Sequence, residues 1–127
     1  MAVQPEAKIL LSRLASSEFC YVTTSGRVTG RPHRIEIWFG MQGSTVYLLS
    51  GNRDRSDWVK NMHRQPVIRV QIAEHTFSGQ ARMVEGAQED ALARRLLAAK
   101  YQQWQDGLEM SDWARTALAV AIDLAVD

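Results

Sequence analysis

Between Phe19 and Ser50 three strand-like segments follow one another with only glycine-marked turns between them, and this spacing confines the chain to an antiparallel sheet built from hairpins. The first, Phe19 to Thr24, is aromatic, β-branched and uncharged. Gly26 and Gly30 bracket a turn. The second segment, 34–39, then alternates Ile35, Ile37 and Phe39 with Arg34, Glu36 and Trp38, the period of a half-buried strand. Residues 40–44 read as another turn, and 45–50 as a third strand. No parallel crossover fits into connections this short.

The remaining elements extend this plan. Pro5 and the spacing of Ile9, Leu10 and Leu14 predict a helix over 5–16. A helix over 54–64 is expected from Trp58, Val59 and Met62, with Asp54 or Ser56 as its cap and Pro66 beyond its end. Strands follow at 67–72 and 77–83, where Gly79 marks a bulge or a close backbone approach. The longest helix is expected at 87–104, ended by Gln105-Asp106-Gly107. After a linker of no clear pattern, residues 116–126 alternate Leu118, Val120, Ile122 and Leu124 with alanines; helix and strand both fit, and strand is preferred because it completes the sheet. The expected class is α+β: a six-stranded antiparallel barrel with flanking helices, in one domain over 1–127.

Composition narrows the function. With 46% apolar and 23% charged residues, the chain has the make-up of a globular protein. The single cysteine, Cys20, has no partner for an intramolecular disulfide and sits mid-strand, so it reads as a core residue in a cytoplasmic protein. The first residues lack the pattern of a signal peptide, and no transmembrane segment is expected. His33, His63 and His75 fall on separate elements without ligand spacing, so no metal site is expected. No nucleophile–base pair can be read, which favours chemistry carried by a cofactor. Charge is uneven. Residues 26–72 hold eight basic side chains against three acids, whereas 73–127 hold five against nine. The basic part suits an acidic small ligand; it lacks the interleaved aromatics that nucleic-acid binding would call for.

Two loops lie in that basic part. Ser50-Gly51-Asn52-Arg53-Asp54-Arg55-Ser56-Asp57-Trp58 leaves a strand and enters a helix, so it offers free amides and the positive end of a helix dipole beside Arg53 and Arg55. Thr24 to Arg34 offers Gly26 and Gly30 for close backbone approach, with Arg27, Arg31, Arg34 and the Thr29 hydroxyl as donors. Both suit a phosphate or carboxylate, and both act on one ligand only if the sheet curls.

The pattern Thr-Ser-Gly-Arg-x-Thr-Gly-x-Pro-x-Arg from Thr24 to Arg34, then Tyr47-Leu48-Leu49-Ser50-Gly51, then Asp57-Trp58-x-x-Asn61 with Pro66 after it, resembles the deazaflavin-dependent nitroreductase family. That family belongs to the split β-barrel flavin and deazaflavin oxidoreductases, with the pyridoxamine phosphate oxidase-like proteins. The resemblance runs from about residue 18 to residue 104. It implies a split barrel that binds coenzyme F420, or FMN in related branches, and passes a hydride to a small quinone, nitro or enone acceptor. Carried over by motif, Arg27, Thr29 and Arg34 would meet the phosphate and acidic tail. Ser50, Gly51, Arg53, Arg55, Ser56 and Asp57 would lie along the phosphate and ring, while Trp58 and Asn61 would fix the helix beside that loop. Trp38 and Trp58 offer a wall for a flat ring, although a tryptophan on a helix stripe, as Trp58 is, reads as core first and ring contact second. Val28 stands where many members carry lysine, and the tyrosines that shape the acceptor pocket of nitroimidazole-reducing members have no clear counterpart. A non-catalytic carrier of the cofactor is the alternative from another class. By resemblance a homodimer is expected.

Overall fold

The computed structural model describes residues 5–126; residues 1–4 and 127 of the expected domain lie outside that range. In chain order it contains α1 (Pro5–Leu14), β1 (Cys20–Ser25), β2 (Pro32–Ile37), β3 (Gly40–Gln42) and β4 (Thr45–Ser50). A 3₁₀ turn (Arg53–Arg55) and α2 (Asp57–Arg64) follow, then β5 (Val67–Ile72) and β6 (His75–Met83). The chain ends with α3 (Ala87–Gln102), α4 (Asp112–Thr116) and β7 (Leu118–Leu124). All strand pairs are antiparallel, in the order β2-β1-β5-β6-β7-β4-β3.

That order forces curvature. β2 and β3 are the opposite edges of the sheet, yet only Trp38 and Phe39 separate them in sequence. A link this short spans no more than about 11 Å between its flanking Cα atoms, so the two edges come together at one corner and the sheet curls into a split barrel. Phe39, fully buried, fills the corner from inside. Its backbone is held by α3. The Phe39 N–H donates to the Tyr101 hydroxyl at 3.0 Å, and that hydroxyl donates to the Glu18 carbonyl at 2.7 Å, with the Phe39 carbonyl 3.1 Å away. Lys100 Nζ donates to the carbonyls of Phe39 (3.1 Å) and Ala15 (3.0 Å).

Inward-facing residues of the strands (Val22, Val46, Leu48, Val70, Val120, Ile122) form the barrel interior, which α1 and α2 plug with Leu11, Leu14, Val59 and Met62. The outer faces of β4 and β7 (Tyr47, Leu49, Ala119, Ala121) are small or flat and receive α3 through Ala93 and Leu97. Gly40 permits this, since a Cβ there would lie 2.8 Å from that of Leu96. Gly79 marks a close approach, as expected: a Cβ would meet Ile122 Cγ2 at 2.6 Å.

The sheet has seven strands where six were expected. Gly40–Gln42, read as turn, pairs with β4 before the chain reverses at Gly43 (φ 59°). β2 also lies two residues earlier than the alternation suggested, because Phe39 leaves the strand to enter the core. The expected helix over 54–64 is broken at Ser56, whose extended backbone (ψ 139°) separates the 3₁₀ turn from α2. The closing run is a strand, and it lies between β6 and β4 rather than along an edge, which accounts for its being apolar on both faces.

Candidate functional site

The curl brings the two basic loops to neighbouring positions around α2. Asn61, on the buried face of α2, is the pin. Its Nδ2 donates to Thr24 Oγ1 at 3.0 Å, while its Oδ1 accepts from the Arg27 backbone N–H (3.2 Å) and from Arg27 Nη1 (2.9 Å). Arg27 Nη2 completes the clamp by donating to Asp57 Oδ1 at 3.0 Å. Asn61 and Thr24 are each 2% exposed, so the bond between them is made away from water. The hairpin itself is closed by Gly26 N–H to the Arg31 carbonyl (2.7 Å) and Gly30 N–H to the Gly26 carbonyl (2.8 Å), with Gly30 at φ 76°. The Thr29 hydroxyl accepts from Arg31 N–H at 3.2 Å and tightens the same turn. Between hairpin and helix lies a cleft of about 410 Å³ lined by Arg27, Thr29, Arg31, His33, Asp57 and Asn61.

On the other side of α2, Ser50 is buried and donates to the Arg53 carbonyl (2.7 Å), while its oxygen lies 2.8 Å from that of Ser56. Ser56 is therefore the N-cap residue of α2 by backbone but not by side chain: its hydroxyl is spent on Ser50 and makes no cap bond. The first amides of α2 keep their capacity to donate. The acid of this first turn, Asp57, is neutralised by Arg27, so the positive helix end is not cancelled. Arg53 takes up a left-handed backbone (φ 56°) and donates to the Thr116 carbonyl. The side chains of Arg55 and Arg31 are exposed and make no hydrogen bond among the described residues.

This geometry fits a ligand with phosphate or carboxylate groups. An eight-residue helix without a side-chain cap, Arg55 two residues before its start and Arg31 in the cleft beside its first turn are groups of the kind that hold an anion. Of the expected residues, Arg27, Thr29, Asp57 and Asn61 line the cleft, and Ser50, Gly51, Arg53, Arg55 and Ser56 lie on the segment that enters α2. Arg34 does not join them. It pairs with Thr23 on the outer face of the sheet, stacks over Tyr21 with its Cζ 4.0 Å from the ring centroid, and donates to Gln71 at 3.1 Å, whereas Asn61 meets the inward-facing Thr24. The register of β1 and β2 accounts for this: neighbouring residues of a strand face opposite ways.

Of the two readings for Trp58, the structure takes the core one, and Trp38 and Trp58 do not share a wall. Trp58 packs half-buried against the barrel interior. Trp38, at the barrel corner, stacks on Tyr101 (centroids 4.3 Å apart, planes 2° from parallel) and meets Trp113 edge-on at 5.7 Å. Trp113 comes from α4, in the stretch read as patternless linker, and its ring lies 3.4 Å from where a Cβ on Gly51 would stand. A legible signal was present: Ser111 caps α4 by accepting the Ala114 N–H at 3.1 Å, as Ser-Asp-Trp-Ala suggests. An aromatic wall thus runs from Tyr101 through Trp38 and Trp113 to the loop at Gly51, and Trp38 remains 45% exposed.

The split barrel is a fold shared with flavin and deazaflavin oxidoreductases. Within that class, the chain belongs to the F420H(2)-dependent quinone reductase family, whose model matches residues 6–122. Solved structures share the fold. An F420-H2 dependent reductase (FDR-A) superposes with a TM-score of 0.63 at 16% identity, covering 83% of this chain and 93% of that one. A proposed pyridoxamine 5'-phosphate oxidase from Listeria innocua gives 0.70 at 16% identity, covering 94% and 93%. A FAD-binding protein from Mesorhizobium loti gives 0.68 at 13% identity, covering 97% and 91%. No curated protein sequence matches the chain. The protein is an F420-dependent oxidoreductase, and its cofactor is coenzyme F420.

Proposed function

We propose that this protein reduces a small planar acceptor of quinone, nitro or enone type at the face formed by Trp38, Tyr101 and Trp113. The observation that carries this reading is the contact between Trp113 and Gly51, which joins the aromatic wall to the segment that enters α2. When bound, reduced F420 supplies the hydride. The chain's own part is to bind and orient. Arg31 and Arg55 take the phosphate and acidic tail, the amides at the start of α2 add hydrogen bonds, and Arg27 keeps the hairpin and helix in register. Arg34 is left out of the set on the grounds given above. Positioning of donor and acceptor in near contact can supply most of the rate without a side-chain acid or base. No helix is long and apolar enough to cross a membrane among the described residues; cytoplasmic placement of one cofactor-binding domain, and pairing as a homodimer, belong to the same reading.

The test is steady-state oxidation of F420H(2) by a panel of quinones, nitroaromatics and enones, with an FMN titration alongside. Turnover of at least one planar acceptor class, lost in Trp113→Ala with F420 affinity kept, supports the reading. Tight F420 binding with no turnover against the whole panel supports the carrier alternative instead, and yellow protein carrying FMN supports the FMN-dependent one.

A further inference from the structure

α3 has a second working side. At 100° per residue, Leu92, Leu96 and Ala99 lie opposite Arg94 and Tyr101, so they face away from the aromatic wall. There a groove runs between α1 and α3 across the edge strand β3, in two stretches of about 760 and 300 Å³ that share Ala15 and Met41. Its walls are apolar (Leu11, Ala15, Met41, Leu92, Leu96, Ala99), and its volume is that of a small-molecule site. The charges around it are mostly of one sign. Lys8, Arg95 and Lys100 line it, with Asp106 as the single acid. The Arg95 side chain is exposed and makes no hydrogen bond among the described residues. Lys100 Nζ has two carbonyl acceptors for its three protons, and burial pushes its pKa down to about 8, so an anion beside it would relieve a real desolvation cost.

An apolar trough with a cationic rim matches a molecule with one long apolar part and one acidic end. We infer that this groove binds a linear alkyl carboxylate, its chain laid along Leu11, Met41 and Leu96 and its carboxylate at Arg95 and Lys100. The site shares no lining residue with the cleft between hairpin and α2, so it does not depend on the acceptor reading.

Calorimetric titration of the full chain with dodecanoate, dodecyltrimethylammonium and dodecanol, each below its micellar concentration, tests this. Dodecanoate is expected to bind saturably with one-to-one stoichiometry and at least about tenfold more tightly than the alcohol or the cation. Ala99→Trp, which fills the groove from an exposed position, abolishes binding while leaving circular dichroism and F420 affinity unchanged. Arg95→Glu weakens binding by about fivefold, less so in high salt. Equal affinity for the cationic amphiphile, binding that survives Ala99→Trp, or association with phosphatidylglycerol vesicles without saturable binding of monomeric dodecanoate would each overturn the proposal.

Discussion

Replacing Asn61 by alanine removes the pin between hairpin and helix, and its cost can be worked out from the contacts. Three bonds are lost: one to the Thr24 hydroxyl, one from the Arg27 amide, and one charge-assisted bond from the Arg27 guanidinium. Each neutral bond contributes about 1 kcal/mol and the charged one about 1.5–3, and the buried Thr24 hydroxyl is left without its donor. The guanidinium reaches water after the change, which returns part of its share. The expected destabilisation is about 3 kcal/mol. Urea unfolding followed by circular dichroism measures it; with a slope of about 2 kcal/mol per M, the midpoint falls by roughly 1.5 M. F420 affinity, measured well below that midpoint, falls as well, because the two loops are no longer held together. Asn61→Asp, which keeps the acceptor for Arg27 and loses the donor to Thr24, falls between. A loss below about 1 kcal/mol in Asn61→Ala, or an unchanged affinity for F420, would refute this account of how the loops are joined.

Three further outcomes are expected. Arg55→Ala weakens F420 binding by about 1.5–3 kcal/mol with unchanged stability, whereas Arg27→Ala lowers both, as paired titrations and urea melts would show. Glu89 is held down at about 2, against 4.5 for the unperturbed group, first by hydrogen bonds from Arg82 and then by the Tyr47 hydroxyl. Because the folded value is the lower one, this contribution to stability is complete above pH 4.5 and is lost as pH falls toward 2; Arg82→Met flattens that limb of the stability–pH curve. Burial pushes the Cys20 thiol up to about 12, so thiol reagents at pH 8 leave it unmodified in the native protein and label it at once on unfolding.

The sequence carried much of the fold because strand alternation, glycine turns and helix periodicity are local signals. Cys20, Val22 and Thr24 show their facing directly, and Gly79 showed that another chain segment crosses it. What it did not carry were facts of pairing. The three residues of β3 are too few to show a period, and only their partnership with β4 makes them a strand. Arg34 and Arg27 look alike in the motif, but the register of β1 with β2 sends one outward over Tyr21 while α2 captures the other. The candidate site was half legible for the same reason. Its loops could be named from residue type, and the aromatic wall could not, because Trp38 comes from the link between β2 and β3, Tyr101 from α3 and Trp113 from α4, which meet only when the barrel curls.

The most direct test of the central claim, that hairpin and helix end form a single F420 site, is a titration of ¹⁵N-labelled protein with F420 followed by amide chemical shifts. The account predicts that the amides of 26–31 and 51–59 shift together along one saturation curve. Shifts confined to one of the two segments, or centred on the groove between α1 and α3, would contradict it.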